Sequence, residues 1–175
     1  MGLPPEEFVD IGATRFQRPR SSKESDSAYK PATVRPNRLD WPTLVIEAGM
    51  SESLRRLRSD ARWWLENSGG EVKIVVIMSI RRTSRLRTIV IEKWEHGPLP
   101  GNRPNTRSIT AAAANAPNQL QQIPTGTQEI SIDSNTNTVN GAPLVLEFRK
   151  FFSPPGRTTG AGLHVYCAGP FELGN

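Results

Sequence analysis

The arrangement of apolar and polar positions divides the chain into a patterned centre and polar flanks. Residues 39–95 carry the clearest periodicity and are predicted to form the core. Residues 1–38 have no sustained period and are expected to be an extended or irregular segment. Residues 97–128, rich in Pro, Gly, Asn, Ala and Gln, are predicted to form a long flexible loop. Because residues 129–152 regain strand character, we expect a single domain over residues 1–175.

The central block predicts a strand, a helix and two further strands, in that order. The run Thr43–Glu47 is β-branched and typical of a strand, and Val72–Ile80 is the most apolar strand candidate. Between them, apolar residues recur at helical spacing after Ser51, which can cap the helix. These apolar residues are Leu54, Leu57, Ala61, Trp64 and Leu65. A strand–helix–strand unit of this length favours a parallel pair, with Thr88–Trp94 added as an antiparallel hairpin.

Two weaker strands are predicted at Gln128–Asp133 and Leu144–Phe151. The expected fold class is therefore α/β or α+β. Its centre is a mixed β-sheet with one main helix after the strand that carries Glu47, and long irregular loops surround it.

Composition excludes several classes of protein. Lys and Arg total 22 against 17 Asp and Glu, a net charge of +5, which is compatible with a polyanionic partner such as DNA without requiring one. No apolar run reaches the roughly 18–20 residues that cross a bilayer, and the first ten residues lack a signal-peptide pattern. The single cysteine, Cys167, excludes an internal disulfide framework. We expect an intracellular protein, cytoplasmic or nuclear, that does not associate with membranes.

Two carboxylates have the sequence context of a metal site. Glu47 ends an apolar strand just before Gly49, and open α/β sheets bind their ligands at the carboxyl ends of strands. Asp26 lies upstream in a polar, extended stretch. Two carboxylates brought together suit Mg²⁺ or Mn²⁺, and such an ion can activate water and neutralise charge on a phosphodiester.

The same residues also have purely structural interpretations. Glu47 can pair with an arginine of the helix, and Asp26 can be an ordinary loop aspartate. The arginine-rich face of the helix can simply be solvated. The turn between the last two central strands is basic as well, and it can contact nucleic acid or be an ordinary charged turn. Its arginines are Arg81, Arg82, Arg85 and Arg87.

The succession of Asp26, PTLVIEAGMSES, LRRLRSDARWWL and VKIVVI resembles the restriction-endonuclease-like PD-(D/E)XK nuclease superfamily, in particular a branch found in fungal proteins. The resemblance covers roughly residues 20–95. It implies a mixed sheet with a helix after the Glu-bearing strand, and a metal held by Asp26 and Glu47. The family's lysine, two residues after the Glu, is replaced here by Gly49. The resemblance therefore implies that a helix arginine, Arg62 or else Arg58, takes its place.

Three hypotheses follow for the function. The first is a nuclease-like domain that depends on Mg²⁺ or Mn²⁺ and acts on DNA phosphodiesters, with Asp26, Glu47 and Arg62 as catalytic residues. The second is an inactive member of the same fold that binds nucleic acid or another partner. The third is an unrelated α/β interaction protein. In the first two, the residues expected to contact nucleic acid are Arg55, Arg58, Arg62 and Lys73. Neither the activity nor the oligomeric state follows from the sequence.

Overall fold

The computed structural model describes residues 7–12, 14–18, 21–50, 53–82, 87–98, 122–153 and 164–166. The strands within these ranges are β1 (Phe8–Asp10), β2 (Arg15–Arg18), β3 (Ser21–Glu24), β4 (Ser27–Pro31), β5 (Leu44–Met50), β6 (Ile74–Arg82), β7 (Arg87–Pro98), β8 (Gln122–Asp133), β9 (Thr138–Asn140), β10 (Val145–Glu147) and β11 (His164–Tyr166). The helices are α1 (Leu54–Asn67) and the single turn α2 (Phe148–Phe151). The fold is mixed α+β, dominated by strands, with one main helix.

Seven strands form the main sheet in the order β1-β4-β5-β6-β7-β8-β9. Strands β5 and β6 are parallel and are joined through α1, whereas all other neighbours in this sheet are antiparallel. The parallel pair and the antiparallel hairpin predicted from the sequence are therefore confirmed. Two smaller antiparallel pairs, β2–β3 and β10–β11, lie outside the main sheet.

Helix α1 buries one face against the sheet. Its buried residues are Leu57, Ala61, Trp64 and Leu65, at the helical spacing read from the sequence. The side chain of Ser53 caps the helix by accepting a hydrogen bond from the backbone N–H of Arg56. The cap is thus two residues later than Ser51, which lies outside the described residues. No helix in the described ranges is long and apolar enough to cross a membrane.

Strand β6 is apolar along most of its length because both faces of the sheet are covered there. Val75 and Ile77 pack beneath α1 in one cluster. Ile74 and Val76 belong to a second cluster on the opposite face, which the segment 144–151 covers. A strand buried on both faces has no polar alternation, which explains the continuous apolar run Ile74–Met78.

Four elements differ from the sequence prediction. Strand β5 continues to Met50, so Glu47 lies at its middle rather than at its end. The segment 1–38 contains four short strands, β1–β4, rather than only irregular chain. The predicted loop 97–128 is shorter at both ends, because β7 continues to Pro98 and β8 begins at Gln122. Residues 99–121 lie outside the described ranges. The predicted strand Leu144–Phe151 divides into β10 and α2. Pairing with a neighbouring strand, rather than local propensity, decides β1–β4 and the lengths of β7 and β8, whereas α2 is a helical turn without a strand partner.

The buried guanidinium of Arg35 connects three distant segments. It donates to the carbonyls of Trp41 at 2.8 Å and of Ser153 at 3.3 Å, and it lies 2.8 Å from the Glu71 carboxylate. Glu71 precedes β6 and Ser153 follows α2. Removing one partner of such a buried pair leaves an uncompensated charge, so Arg35 fixes the loop before β5 relative to both ends of the core.

A second charged network holds the segment 145–150 against the face opposite α1. The ammonium of Lys93 donates to the Glu147 carboxylate and to the Val145 carbonyl, each at 2.9 Å. Lys150 lies 2.7 Å from Glu95, which is 3.1 Å from Lys93. Burial alone would raise the pKa of Glu147, but its hydrogen bonds and the two lysine charges outweigh burial and lower that pKa to about 2.

This lowered pKa predicts an acid-sensitive contribution to stability. Ionised Glu147 stabilises the fold above its ordinary pKa of 4.5, and the contribution is lost as the pH falls towards 2. We expect Glu147→Gln to lower the free energy of unfolding by about 2 kcal/mol at neutral pH. The difference in the free energy of unfolding between the variant and the wild type should shrink as the pH falls below 4.5. Urea denaturation from pH 2 to 7 measures it, with the exposed Glu66→Gln as control. A constant difference across this range would contradict the assignment.

Candidate functional site

A row of side chains crosses four strands beneath α1. Glu47 of β5 is in register with Ile77 of β6, Ile77 with Glu92 of β7, and Glu92 with Glu129 of β8. Cross-strand partners share a face of the sheet, so three carboxylates lie along one line, interrupted by Ile77. Glu47 and Glu92 are both buried. Each therefore needs hydrogen-bond donors and a cation.

Glu47 receives its donors from α1 and from the β2–β3 hairpin. The indole N–H of Trp64 donates to its Oε1 at 2.5 Å, and the ammonium of Lys23 lies 3.7 Å from the same atom. The hairpin that carries Lys23 is held in place by Phe16 in the core and by a 3.0 Å hydrogen bond from the Trp63 indole to Ser21. Lys23 is thus positioned by packing rather than by its neighbours in sequence.

Two further carboxylates surround the same position. Asp26, in the bend before β4, accepts a hydrogen bond from the backbone N–H of Ala48 at 2.7 Å, which places it beside the strand that carries Glu47. Asp60 of α1 lies 2.8 Å from the ammonium of Lys23. We call these four residues, Lys23, Asp26, Glu47 and Asp60, the acid–lysine cluster. The two sequence-predicted metal ligands, Asp26 and Glu47, both belong to it.

Glu47 is the buried carboxylate of the cluster. Burial raises the pKa of Glu47. The Trp64 hydrogen bond and the Lys23 charge oppose the rise, whereas the negative charges of Asp26 and Asp60 reinforce it. A carboxylate whose ionised form is disfavoured in this way gains from any additional positive charge brought next to it.

The two helix arginines expected near the acids lie on the other flank of α1. Arg58 bonds the Glu92 carboxylate through Nε at 3.0 Å, and the guanidinium of Arg62 stacks 5.4 Å from the centre of the Trp94 ring. Helix residues advance by about 100° each, so positions 58 and 62 point away from Asp60 and Trp64. The sequence expectation that Arg62 joins the two acids is therefore corrected by helix geometry.

The flank that carries these arginines contains a cavity of about 330 Å³ between α1 and the β7–β8 pair. Its walls include Arg58, Arg62, Trp94 and Glu129, and Glu92 lies at its base with the Trp94 indole donating to it at 2.8 Å. The two arginines face two carboxylates here. The cavity thus has balanced charge, unlike the acid–lysine cluster, which contains three carboxylates and one ammonium.

The remaining predicted contacts with nucleic acid are Arg55 and Lys73. Arg55 is exposed near the start of α1 and shares a helix face with Arg58 and Arg62 through their i, i+3, i+7 spacing. Lys73 precedes β6, outside the helix, and donates to the Gly70 carbonyl at 2.5 Å, and burial lowers its pKa. The structure therefore places three of these four residues on one face of α1.

Sequence reasoning missed two members of the cluster. Lys23 lies in a stretch without periodicity, and its partner strand β2 is as short and polar as β3. Asp60 follows Arg56 by four residues, a spacing that indicates an ordinary ion pair on the helix surface. A usable signal was present at positions 60 and 64, because four-residue spacing puts Asp60 on the same flank as Trp64.

The donor chemistry of the cluster suits a hard cation. No group of three or more His, Cys, Asp or Glu that could hold a metal ion is found among the residues that the structure describes. The pair Asp26 and Glu47 would thus be the protein's contribution. Mg²⁺ is commonly held by one or two carboxylates, with water and substrate phosphate completing its shell. The ammonium of Lys23 beside Glu47 marks a position where positive charge is stabilised.

Comparisons with known proteins add no assignment. No protein-family model matches the chain, and no curated protein and no solved structure shows significant similarity to it.

The raised pKa of Glu47 predicts how stability depends on pH. The folded state holds the Glu47 proton more tightly than the unfolded chain, so stability falls as the pH rises from 4.5 through the raised value. Glu47→Gln keeps an acceptor for Trp64 and removes this titration. We expect the free energy of unfolding of this variant to increase relative to that of the wild type as the pH rises from 4.5 to 8, and urea denaturation measures it. The exposed Glu129→Gln serves as control, and parallel profiles for Glu47→Gln and wild type would contradict the assignment.

Proposed function

We propose that the protein is a nuclease-like domain that uses a divalent metal and acts on DNA phosphodiesters. The observation that carries this proposal is the meeting of Asp26 and Glu47 in one cluster with Lys23. Residues distant in sequence, on a bend, a strand and a hairpin, converge on a buried carboxylate, and such convergence is typical of functional sites. The order of β5, α1 and β6 agrees with a restriction-endonuclease-like core and supports the proposal.

Each residue has a role in the proposed site. Asp26 and Glu47 would hold Mg²⁺ or Mn²⁺. When bound, such an ion activates water and neutralises charge on the scissile phosphate. Lys23 supplies the ammonium that the resemblance expects at the position of Gly49, and it can stabilise developing negative charge on the phosphate. Asp60 orients Lys23 through its 2.8 Å contact.

A second candidate function follows from the contact between Lys23 and Glu47. Lys23 already compensates Glu47 and bridges it to Asp60, so the cluster also has the composition of a buried ion-pair network. In that case the domain binds nucleic acid or another partner without cleaving it. Metal binding and cleavage separate the two functions.

The metal hypothesis predicts that binding depends on both acids. Calorimetric titration of Mn²⁺ and Mg²⁺ into the wild type should detect one site. Asp26→Asn and Glu47→Gln should each weaken it by roughly tenfold or more, because each removes one of two carboxylate ligands. Glu129→Gln is the matched control, since it removes a carboxylate from the same row on the opposite flank. A folded wild type that binds neither metal would overturn the proposal.

The same variants separate an active from an inactive domain. Supercoiled plasmid and single-stranded DNA are incubated with each protein and Mn²⁺, and nicking is followed on gels. Cleavage by the wild type and Glu129→Gln, lost in Asp26→Asn and Glu47→Gln, would support a nuclease. Metal binding without cleavage would support the inactive binding module.

Lys23 and Arg62 can be tested against each other. We expect Lys23→Met to lower the cleavage rate by about 100-fold, the effect of removing one group that stabilises developing charge. Its affinity for Mn²⁺ should be retained or increased, because a competing cation is removed from Glu47. Arg62→Met should have the smaller effect, because Arg62 lies over Trp94. The reverse order of effects would restore the sequence expectation and contradict the role given to Lys23.

A further inference from the structure

The end of the β6–β7 hairpin is a concentrated positive surface outside the acid–lysine cluster. Arg81 and Arg82 end β6, Arg87 begins β7, and all three are exposed. Together with Thr88 and Ser134 they line a cavity of about 240 Å³. We call Arg81, Arg82 and Arg87 the hairpin arginines.

The hairpin arginines have no ion pair within the described part of the chain, in contrast to several other arginines of the fold. Arg15, Arg35 and Arg58 each contact a carboxylate. The walls of the cavity contain arginine, hydroxyl and isoleucine side chains but no carboxylate. The charge of this surface is therefore not compensated from within those walls.

The register of the hairpin adds an electrostatic cost. Arg82 and Arg87 are direct cross-strand partners, so their guanidiniums lie on the same face of the sheet. Like charges directly opposite each other on an antiparallel pair are destabilising. An anion bound between them would remove this repulsion, and guanidinium groups match the planar, bidentate geometry of phosphate.

We propose that the hairpin arginines bind a phosphate group of a nucleic-acid backbone at a contact separate from the acid–lysine cluster. That this nucleic acid is also the substrate of the acid–lysine cluster rests on the proposed function. Glu47 is in register with Ile77, five residues before Arg82, which places the two rows roughly 17 Å apart along the strands. Because side chains alternate between the faces of a sheet, Arg82 and Arg87 lie on the face opposite the acid–lysine cluster, and the two contacts are distinct surfaces.

The experiment measures binding without cleavage. A fluorescent 20-base-pair DNA duplex is titrated in EDTA at several salt concentrations and followed by anisotropy. The test variant is Arg82→Gln/Arg87→Gln. The matched control is Arg15→Gln/Arg38→Gln, which removes the same charge from exposed positions elsewhere. We expect the test variant to weaken binding at least tenfold and to reduce the salt slope by about 2, with a smaller effect in the control.

Three outcomes would overturn the inference. Equal weakening in both variants would indicate only net charge. Unchanged binding in the test variant would show that the DNA contact lies elsewhere. Binding of the wild type to vesicles with 30% phosphatidylserine but not to the duplex would indicate a lipid partner instead. The thermal unfolding midpoint of the test variant should equal or exceed that of the wild type, because a like-charge pair is removed, so lost binding is not lost folding.

The test is independent of catalysis. A wild type that binds the duplex through the hairpin arginines but fails to bind metal would retain this inference and overturn the nuclease proposal. Cleavage that depends on Glu47, together with unchanged DNA affinity in the test variant, would retain the nuclease proposal and overturn this inference.

Discussion

The architecture depends on the burial of carboxylates beneath a single helix. The row from Glu47 to Glu92 crosses the sheet under α1, where the apolar contacts of Ile77 with the helix exclude water. Buried carboxylates are tolerated only when they are bonded and compensated. The chain does this twice with the same chemistry: an indole N–H and a cation for each carboxylate. Trp64 and Lys23 serve Glu47, and Trp94 and Arg58 serve Glu92.

The surroundings of Glu47 and Glu92 differ in the net charge that remains once each carboxylate has been paired. On the Glu92 flank, Arg58 engages both carboxylate oxygens and Arg62 covers Trp94, so positive and negative charges are matched. On the Glu47 flank, the cluster contains two additional carboxylates, Asp26 and Asp60, and a single ammonium, which contacts Glu47 and Asp60. The pKa of Glu47 is raised, chiefly by burial and further by those neighbours. A site with excess negative charge and hard oxygen donors is suited to a divalent cation, whereas the matched flank is not. The position of the proposed chemistry follows from this asymmetry.

The sequence predicts the parts of this arrangement that depend on local pattern. Strands β5 and β6, helix α1 and the β6–β7 hairpin follow from apolar periodicity. The candidates Glu47 and Asp26 follow from a predicted strand end and a polar bend, and both reach the cluster, although β5 continues to Met50 and leaves Glu47 at its middle. Lys23 does not, because only the pairing of β2 with β3 and the packing of Phe16 bring it to Glu47. The start of β8 could not be predicted either, because its sequence contains Gly and Pro, which are unfavourable in strands. Its strand structure depends on pairing with β7.

The distribution of cations separates those that hold the fold from those free to meet a partner. Arg35 and Lys93 are buried and bind carboxylates and carbonyls, which stabilises the loop before β5 and the segment after β9. Lys23 and Arg58 neutralise the row beneath α1. A net charge of +5 therefore says little about partners until the compensated cations are set aside. What then stands out is the end of the β6–β7 hairpin, where repulsion between Arg82 and Arg87 costs stability that no described contact returns. An anion bound between the two guanidiniums would relieve that repulsion.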